Sequence, residues 1–288
     1  DARLIQVFVI LILFLLLYHL LRRFTPRLVA AFILIFAAFD PFYLSQTRLL
    51  DHEGMVSLFV LVSLMALAVY LFKDRRFIFL LVSGIAAGLA QLTKSSAIAM
   101  LAGVGILLLM QMFQERQQGW GKALLNNTKT FALWLILLVV TYFIFWPGMW
   151  VAPGKMLYQV YGNAFSYAFQ GARLTVTEDL EVSRFRLSNL AGIWEVASVL
   201  LYRTTPFTWL GLLLGFSLPF TRDPELVRPN RLLFTLLLTN AAAFILLIGI
   251  AQGRNSPHYI LTSYLSLNLL AGLGWYYFFH WLAKRFTF

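Results

Sequence analysis

Residues Val7–Leu17 read VFVILILFLLL. No position in this block is polar, so it shows neither the two-residue alternation of a half-buried strand nor the polar stripe of a surface helix. Extended to Ile5–Leu21, the run reaches the lower end of the about 17–25 residues that a helix needs to cross a bilayer. The same texture returns at Leu28–Tyr43, Met55–Phe72, Phe77–Leu92, Ala97–Phe113, Thr130–Trp146, Phe207–Phe220, Leu232–Ile250 and Ile260–Leu282. A transmembrane β-barrel needs alternating strands of about ten residues, and these runs do not alternate. The expected fold is all-α, a polytopic transmembrane bundle of about nine spans. Residues 1–288 form a single transmembrane domain in this reading, with one long extracytoplasmic loop over 147–206 that carries interfacial helices.

Composition points the same way. Of the 288 residues 60% are hydrophobic and only 12% are charged, and the mean hydropathy is +0.78. A soluble domain carries about 25% charged residues, so soluble globular and disordered classes are excluded. Cysteine is absent, which removes a disulfide framework, a thiolate metal site and a cysteine nucleophile. The net charge of +11 would suggest nucleic acid in a soluble protein. In a membrane protein it poses a question of sidedness instead, and no nucleic-acid partner is expected.

The loops answer that question. One alternating set holds fourteen basic residues, in the groups Arg22, Arg23, Arg27; Lys73, Arg75, Arg76; Arg116, Lys122, Lys129; Arg222, Arg228, Arg231; and Lys284, Arg285, against Asp74, Glu115, Asp223 and Glu225. The other set has mixed charge. The excess of Lys and Arg places the first set in the cytoplasm. The chain then runs from an outside N-terminus to an inside C-terminus. The long loop Pro147–Pro206 falls outside, with apolar clusters at Met156–Tyr161, Phe165–Phe169 and Ile193–Tyr202 that suit helices lying on the membrane surface.

Ionisable residues close to the bilayer are expensive and are therefore the first site candidates. Several fall at the outer ends of the spans. Asp40-Pro41-Phe42-Tyr43 leads to Arg48 and then Asp51-His52-Glu53. Pro41 loosens the second span. Asp51 and Glu53 also suit the first turn of the third, where the helix dipole favours acids. Lys94 interrupts an otherwise nearly apolar stretch from Phe77 to Phe113, at the outer face. It can snorkel as an anchor or serve as a cation for an anionic substrate beside the first amides of the next helix. Arg254, His258 and Tyr259 bring a guanidinium suited to phosphate, an imidazole and a phenol to the start of the last span. Gly84 and Gly88 read as helix packing, and Trp146 and Trp150 as an interfacial belt.

In this order the clusters resemble the polyprenyl-phosphate-sugar-dependent membrane glycosyltransferases of the GT-C class, in particular the protein O-mannosyltransferases and the bacterial aminoarabinose transferases. The stretches that carry the resemblance are Phe39-Asp40-Pro41-Phe42-Tyr43-Leu44, Arg48 with Glu53 five residues on, Gly88-Leu89-Ala90-Gln91-Leu92-Thr93-Lys94, Trp146-Pro147-Gly148-Met149-Trp150-Val151-Ala152-Pro153, Arg203-Thr204-Thr205-Pro206-Phe207-Thr208 and Pro257-His258-Tyr259. Each is short, and their common order and sidedness give the set its specificity. The chain departs from the pattern at both ends. It opens with Asp1 directly before an apolar helix, so the resemblance implies a missing amino-terminal span and first outer loop. At Arg254-Asn255-Ser256-Pro257-His258-Tyr259 it lacks the acid usual in relatives.

The resemblance implies a donor sugar on a polyprenyl phosphate, transferred on the extracytoplasmic face of a prokaryotic inner membrane to a protein, lipid or glycan. Lys94, Arg254, Arg48 and Tyr259 would hold the donor phosphate, with Arg48 oriented by Glu53. The main base would lie upstream of Asp1, leaving Glu53, Asp51 and His258 as lesser candidates and this stretch inactive by itself. No cofactor beyond the lipid-linked donor and no metal site is expected. Only Glu178, Asp179 and Glu181 have acidic spacing in an outer loop, and these suit a solvated segment. The alternative is a transporter or flippase of an anionic or lipid-linked substrate. It would place charges at mid-membrane in paired halves, whereas the charges here gather at the outer interface.

Overall fold

The computed structural model describes residues 2–49, 51–170, 190–218, 224–251 and 256–286. Fourteen α-helices follow in order: α1 (Ala2–Leu21), α2 (Arg27–Ala38), α3 (Pro41–Thr47), α4 (Glu53–Phe72), α5 (Phe77–Thr93), α6 (Met100–Glu115), α7 (Trp120–Phe145), α8 (Gly148–Val151), α9 (Pro153–Leu157), α10 (Asn163–Gln170), α11 (Leu190–Arg203), α12 (Pro206–Ser217), α13 (Pro224–Ile250) and α14 (Leu261–Phe286). No strand occurs among the described residues. The all-α reading holds.

Helix α4 is apolar around its whole circumference and is accordingly the buried axis of the bundle. Residues from Val56 to Leu71 are almost all inaccessible, and α1, α5, α6 and α14 surround it. Helix α14 forms a second axis against α2, α12 and α13. By contrast, α1 and α7 leave Ile5, Phe8, Leu11, Ile136 and Val139 exposed. A face of that size and composition is stable against lipid rather than water.

Among the described residues, five helices are long and apolar enough to cross a membrane: Arg3–Leu21, Glu53–Phe72, Ser95–Glu115, Trp120–Phe145 and Asn230–Ile250. The bent pair Arg27–Ala38 and Pro41–Thr47 makes a sixth if it counts as one span. The expected count of about nine is therefore not established. Phe77–Thr93 and Pro206–Ser217 are apolar but short. Helix α14 has length, but it carries Thr262, Ser263, Ser266 and Asn268 on buried positions, which lowers its hydropathy.

The bend between α2 and α3 is 68°. Pro41 disfavours helical geometry at the residue before it, and Asp40 sits at φ −59°, ψ 127°. Asp40 then caps α3 by accepting a hydrogen bond from the Tyr43 amide at 3.0 Å. The second apolar run is thus two helices.

Buried polar groups tie α4, α5 and α7 together. Ser63 and Ser83 each donate a hydroxyl hydrogen bond to the other's carbonyl at 2.8 Å, and Trp134 Nε1 donates to Ser83 Oγ at 2.9 Å. Trp134 is fully buried. Ser83→Ala leaves its indole N–H without that acceptor, and a loss of about 1 kcal/mol is expected. Thermal unfolding in detergent checks this. An unchanged midpoint would mean that another acceptor replaces Ser83.

Candidate functional site

Helix α4 ends at Phe72, the chain turns through Lys73–Arg76, and α5 runs back to Thr93. The first turn of α4 and the end of α5 therefore lie at the same end of the bundle. There Lys94 leaves α5 in an extended conformation, φ −161° and ψ 133°. This frees its side chain from the helix surface. Lys94 Nζ donates to Glu53 Oε1, and both side chains are largely withdrawn from solvent, 11% and 3% exposed. Lys94 Nζ also lies 4.3 Å from the centroid of the Tyr259 ring, which begins the α14 arm of the site. Three segments distant in sequence thus converge on one ammonium.

The helix ends favour this arrangement. An acid in the first turn of α4 faces a positive dipole end, and a cation at the close of α5 faces a negative one. A buried ion pair survives only with good geometry and additional partners. The π face of Tyr259 supplies one for Lys94. For Glu53 there is His52, whose Nε2 stands 4.0 Å from Oε1. The other ring nitrogen of His52, Nδ1, is 3.0 Å from Asp51 Oδ1, so this imidazole lies between two carboxylates.

Gln6 of α1 holds the segment that leads to these acids. Its Nε2 approaches the carbonyls of Leu49, Asp51 and Thr47 at 2.8, 3.2 and 3.3 Å. On the other flank Gln91, one turn before Lys94, accepts a hydrogen bond from Tyr161 at 3.0 Å. Burial raises the Tyr161 phenol above its ordinary pKa, a shift that the hydrogen bond with Tyr142 opposes. The segment after α7 is thereby tied to α5 one turn before Lys94.

Each expected site residue can now be placed. Glu53, Lys94 and Tyr259 come together. Asp51 joins them only through His52, half-buried. His258 is half-buried with its ring 4.3 Å from that of Tyr259. Arg48 closes α3 and is exposed. Glu53 is bonded to Lys94, where the resemblance implied that it orients Arg48. Arg254 lies outside the described residues, as do Glu178, Asp179 and Glu181. Asp40 belongs to the fold. It is buried and accepts from Tyr264 at 3.0 Å and from Thr208 at 3.4 Å besides the Tyr43 amide. Reading the sequence missed Gln6, His52, Gln91 and Tyr161. For Gln6 and Gln91 the available signal was a lone amide inside an apolar run.

A bundle of apolar helices, several long enough to span a bilayer, defines an integral membrane protein. A family model for dolichyl-phosphate-mannose-protein mannosyltransferases matches residues 1–146, half of the chain. The chain belongs to that family and is a glycosyltransferase of the GT-C type. The match spans α1 to α7 and includes Arg48, Asp51, Glu53 and Lys94. No curated protein and no solved structure matches the chain.

Proposed function

We propose that the chain moves a sugar from a polyprenyl-phosphate carrier to a protein, lipid or glycan acceptor on the extracytoplasmic face of a prokaryotic inner membrane. The observation that carries the reading is the Glu53–Lys94 pair with Tyr259 against the ammonium. It lies at the end of α4 opposite the basic loop Lys73–Arg76, about 30 Å away for a 20-residue helix, and the positive-inside rule puts that loop in the cytoplasm.

The chemistry follows from the charges. The acceptor oxygen or nitrogen attacks the anomeric carbon, and the bond from that carbon to the phosphate oxygen breaks. The electron pair leaves on the phosphate, and the acceptor proton passes to a carboxylate or imidazole. Displacement in one step inverts the anomeric centre. The growing phosphate charge needs a cation held in place in advance in a low-dielectric site. Glu53 keeps Lys94 in such a position, with Tyr259 beneath it. Arg48 and Arg254 are the further cations assigned to the phosphate, and Asp51, Glu53 and His258 are the groups assigned to take a proton. The outer segment anchored by Tyr161 covers this end and contacts the acceptor.

A polyprenyl phosphate bearing a photo-reactive group near its phosphate tests this reading. Cross-links are expected in peptides containing His52–Glu53, Lys94–Ser95 and His258–Tyr259. Cross-links at Lys73–Arg76 instead would reverse the assignment of both site and side.

A further inference from the structure

The opposite end of the bundle carries a separate cavity. It lies between α1 and α5, measures about 420 Å³, and is lined by Leu16, His19, Leu20, Arg23, Arg76, Ile78, Phe79 and Val82. That volume falls within the about 300–1,000 Å³ range of small-ligand sites. Its wall is apolar and its rim is cationic. The residues on the wall come from two apolar helices, and Leu16 and Ile78 are exposed on it.

The rim has an excess of positive charge. Arg76 donates from Nε to Asp74 Oδ2 at 2.8 Å, and its Nη2 is 2.6 Å from the same oxygen. Arg23 Nη1 lies 3.7 Å from that oxygen, too far for a hydrogen bond. The hydrogen bond from Arg76 holds the Asp74 carboxyl below the usual carboxylate range, so Asp74 is ionised at neutral pH. One carboxylate thus serves two guanidiniums. Both guanidiniums also lie over the Phe79 ring, each with Cζ 5.4 Å from the centroid. Phe79 and Asp74 thus hold both guanidiniums at the groove. The neighbouring acid Glu115 is bound to Arg75 at 2.6 Å and adds no negative charge to the rim.

We propose that this groove binds an anionic phospholipid, with the phosphate between Arg23 and Arg76 and one acyl chain along Leu16, Leu20, Ile78 and Val82. Charge complementarity selects the headgroup. Basic pockets between membrane helices on the cytoplasmic side suit anionic lipids, and bidentate guanidinium geometry suits phosphate. The apolar wall selects a lipid over a soluble phosphate. The site is independent of the Glu53–Lys94 end and does not rest on the reading of that end.

Native mass spectrometry of the whole chain tests it, with phosphatidylglycerol and phosphatidylcholine of identical acyl chains. The parent is expected to retain phosphatidylglycerol over phosphatidylcholine by about ten- to thirtyfold. The Arg23→Gln, Arg76→Gln variant should bring that ratio close to one. Leu16→Trp fills the groove while leaving both arginines and Asp74 in place, and it should lower phosphatidylglycerol retention as well. Equal retention by parent and double variant would overturn the proposal. So would displacement of the lipid by glycerol phosphate, which would mark a site for soluble anions.

Discussion

Lys94→Ala is expected to destabilise the chain by about 3–5 kcal/mol, the range for removing one partner of a buried ion pair. It is also expected to weaken retention of polyprenyl phosphate by about ten- to hundredfold, the loss of one charge-assisted contact. The two effects have different origins and can be separated. Glu53 is 3% exposed and receives the Lys94 ammonium. Without Lys94, its buried carboxylate keeps only the His52 ring, 4.0 Å away. Replacing both partners by uncharged side chains of similar shape, Glu53→Gln with Lys94→Met, removes that penalty, and such replacements are often neutral. The double variant should therefore unfold near the parent's temperature in detergent yet retain the carrier as poorly as Lys94→Ala. If stability and carrier retention recover together, Lys94 is a packing element and the phosphate site lies elsewhere.

Gly274→Val should prevent normal packing of α12 on α14. A Cβ at Gly274 would lie 2.1 Å from the Gly211 carbonyl oxygen and 2.4 Å from the Gly215 amide nitrogen. Both are backbone atoms of a facing helix, so no side-chain rotation relieves the clash. The helices must separate, which breaks the stack of Phe207 on Trp275 and the hydrogen bond from Trp275 Nε1 to the Phe207 carbonyl at 2.9 Å. The expected cost is about 3 kcal/mol or more, at or beyond the upper end of overpacking effects. Gly105→Ala is the control. Nothing lies within 4 Å of its added Cβ, and the change gains about 1 kcal/mol of helix propensity at most. Thermal unfolding of the two variants should diverge accordingly. Equal behaviour would mean that α12 and α14 do not pack backbone to backbone.

Much of this architecture was legible in the sequence because membrane helices announce themselves by uniform apolarity. Each expected run is mainly helical over its described residues, and α4, apolar all round, is the central axis. What the pattern could not set was which runs cross the membrane unaided. Pro206–Ser217 reads as apolar as α4 but is a helix of 12 residues, and Pro41 divides the second run. At the site, sidedness placed Glu53 and Lys94 at the same face, since α4 goes out and α5 returns. Their pairing across 41 positions was hidden, and Arg48, five residues away, was the more obvious local partner. Lys94 wins because it departs from α5 in extended geometry. The anchoring amides of Gln6 and Gln91 were hidden for a related reason. Their partners are backbone carbonyls and a tyrosine, which carry no charge signal.

The central claim is that Lys94 holds the carrier phosphate while Glu53 holds Lys94. Native mass spectrometry with equal amounts of polyprenyl phosphate and the uncharged polyprenol tests it most directly, on the parent and on Glu53→Gln, Lys94→Met. The account predicts that the parent selects the phosphate form by about tenfold or more, and that the folded double variant retains both lipids alike. Retention of the phosphate form by the double variant at the parent's level would contradict it.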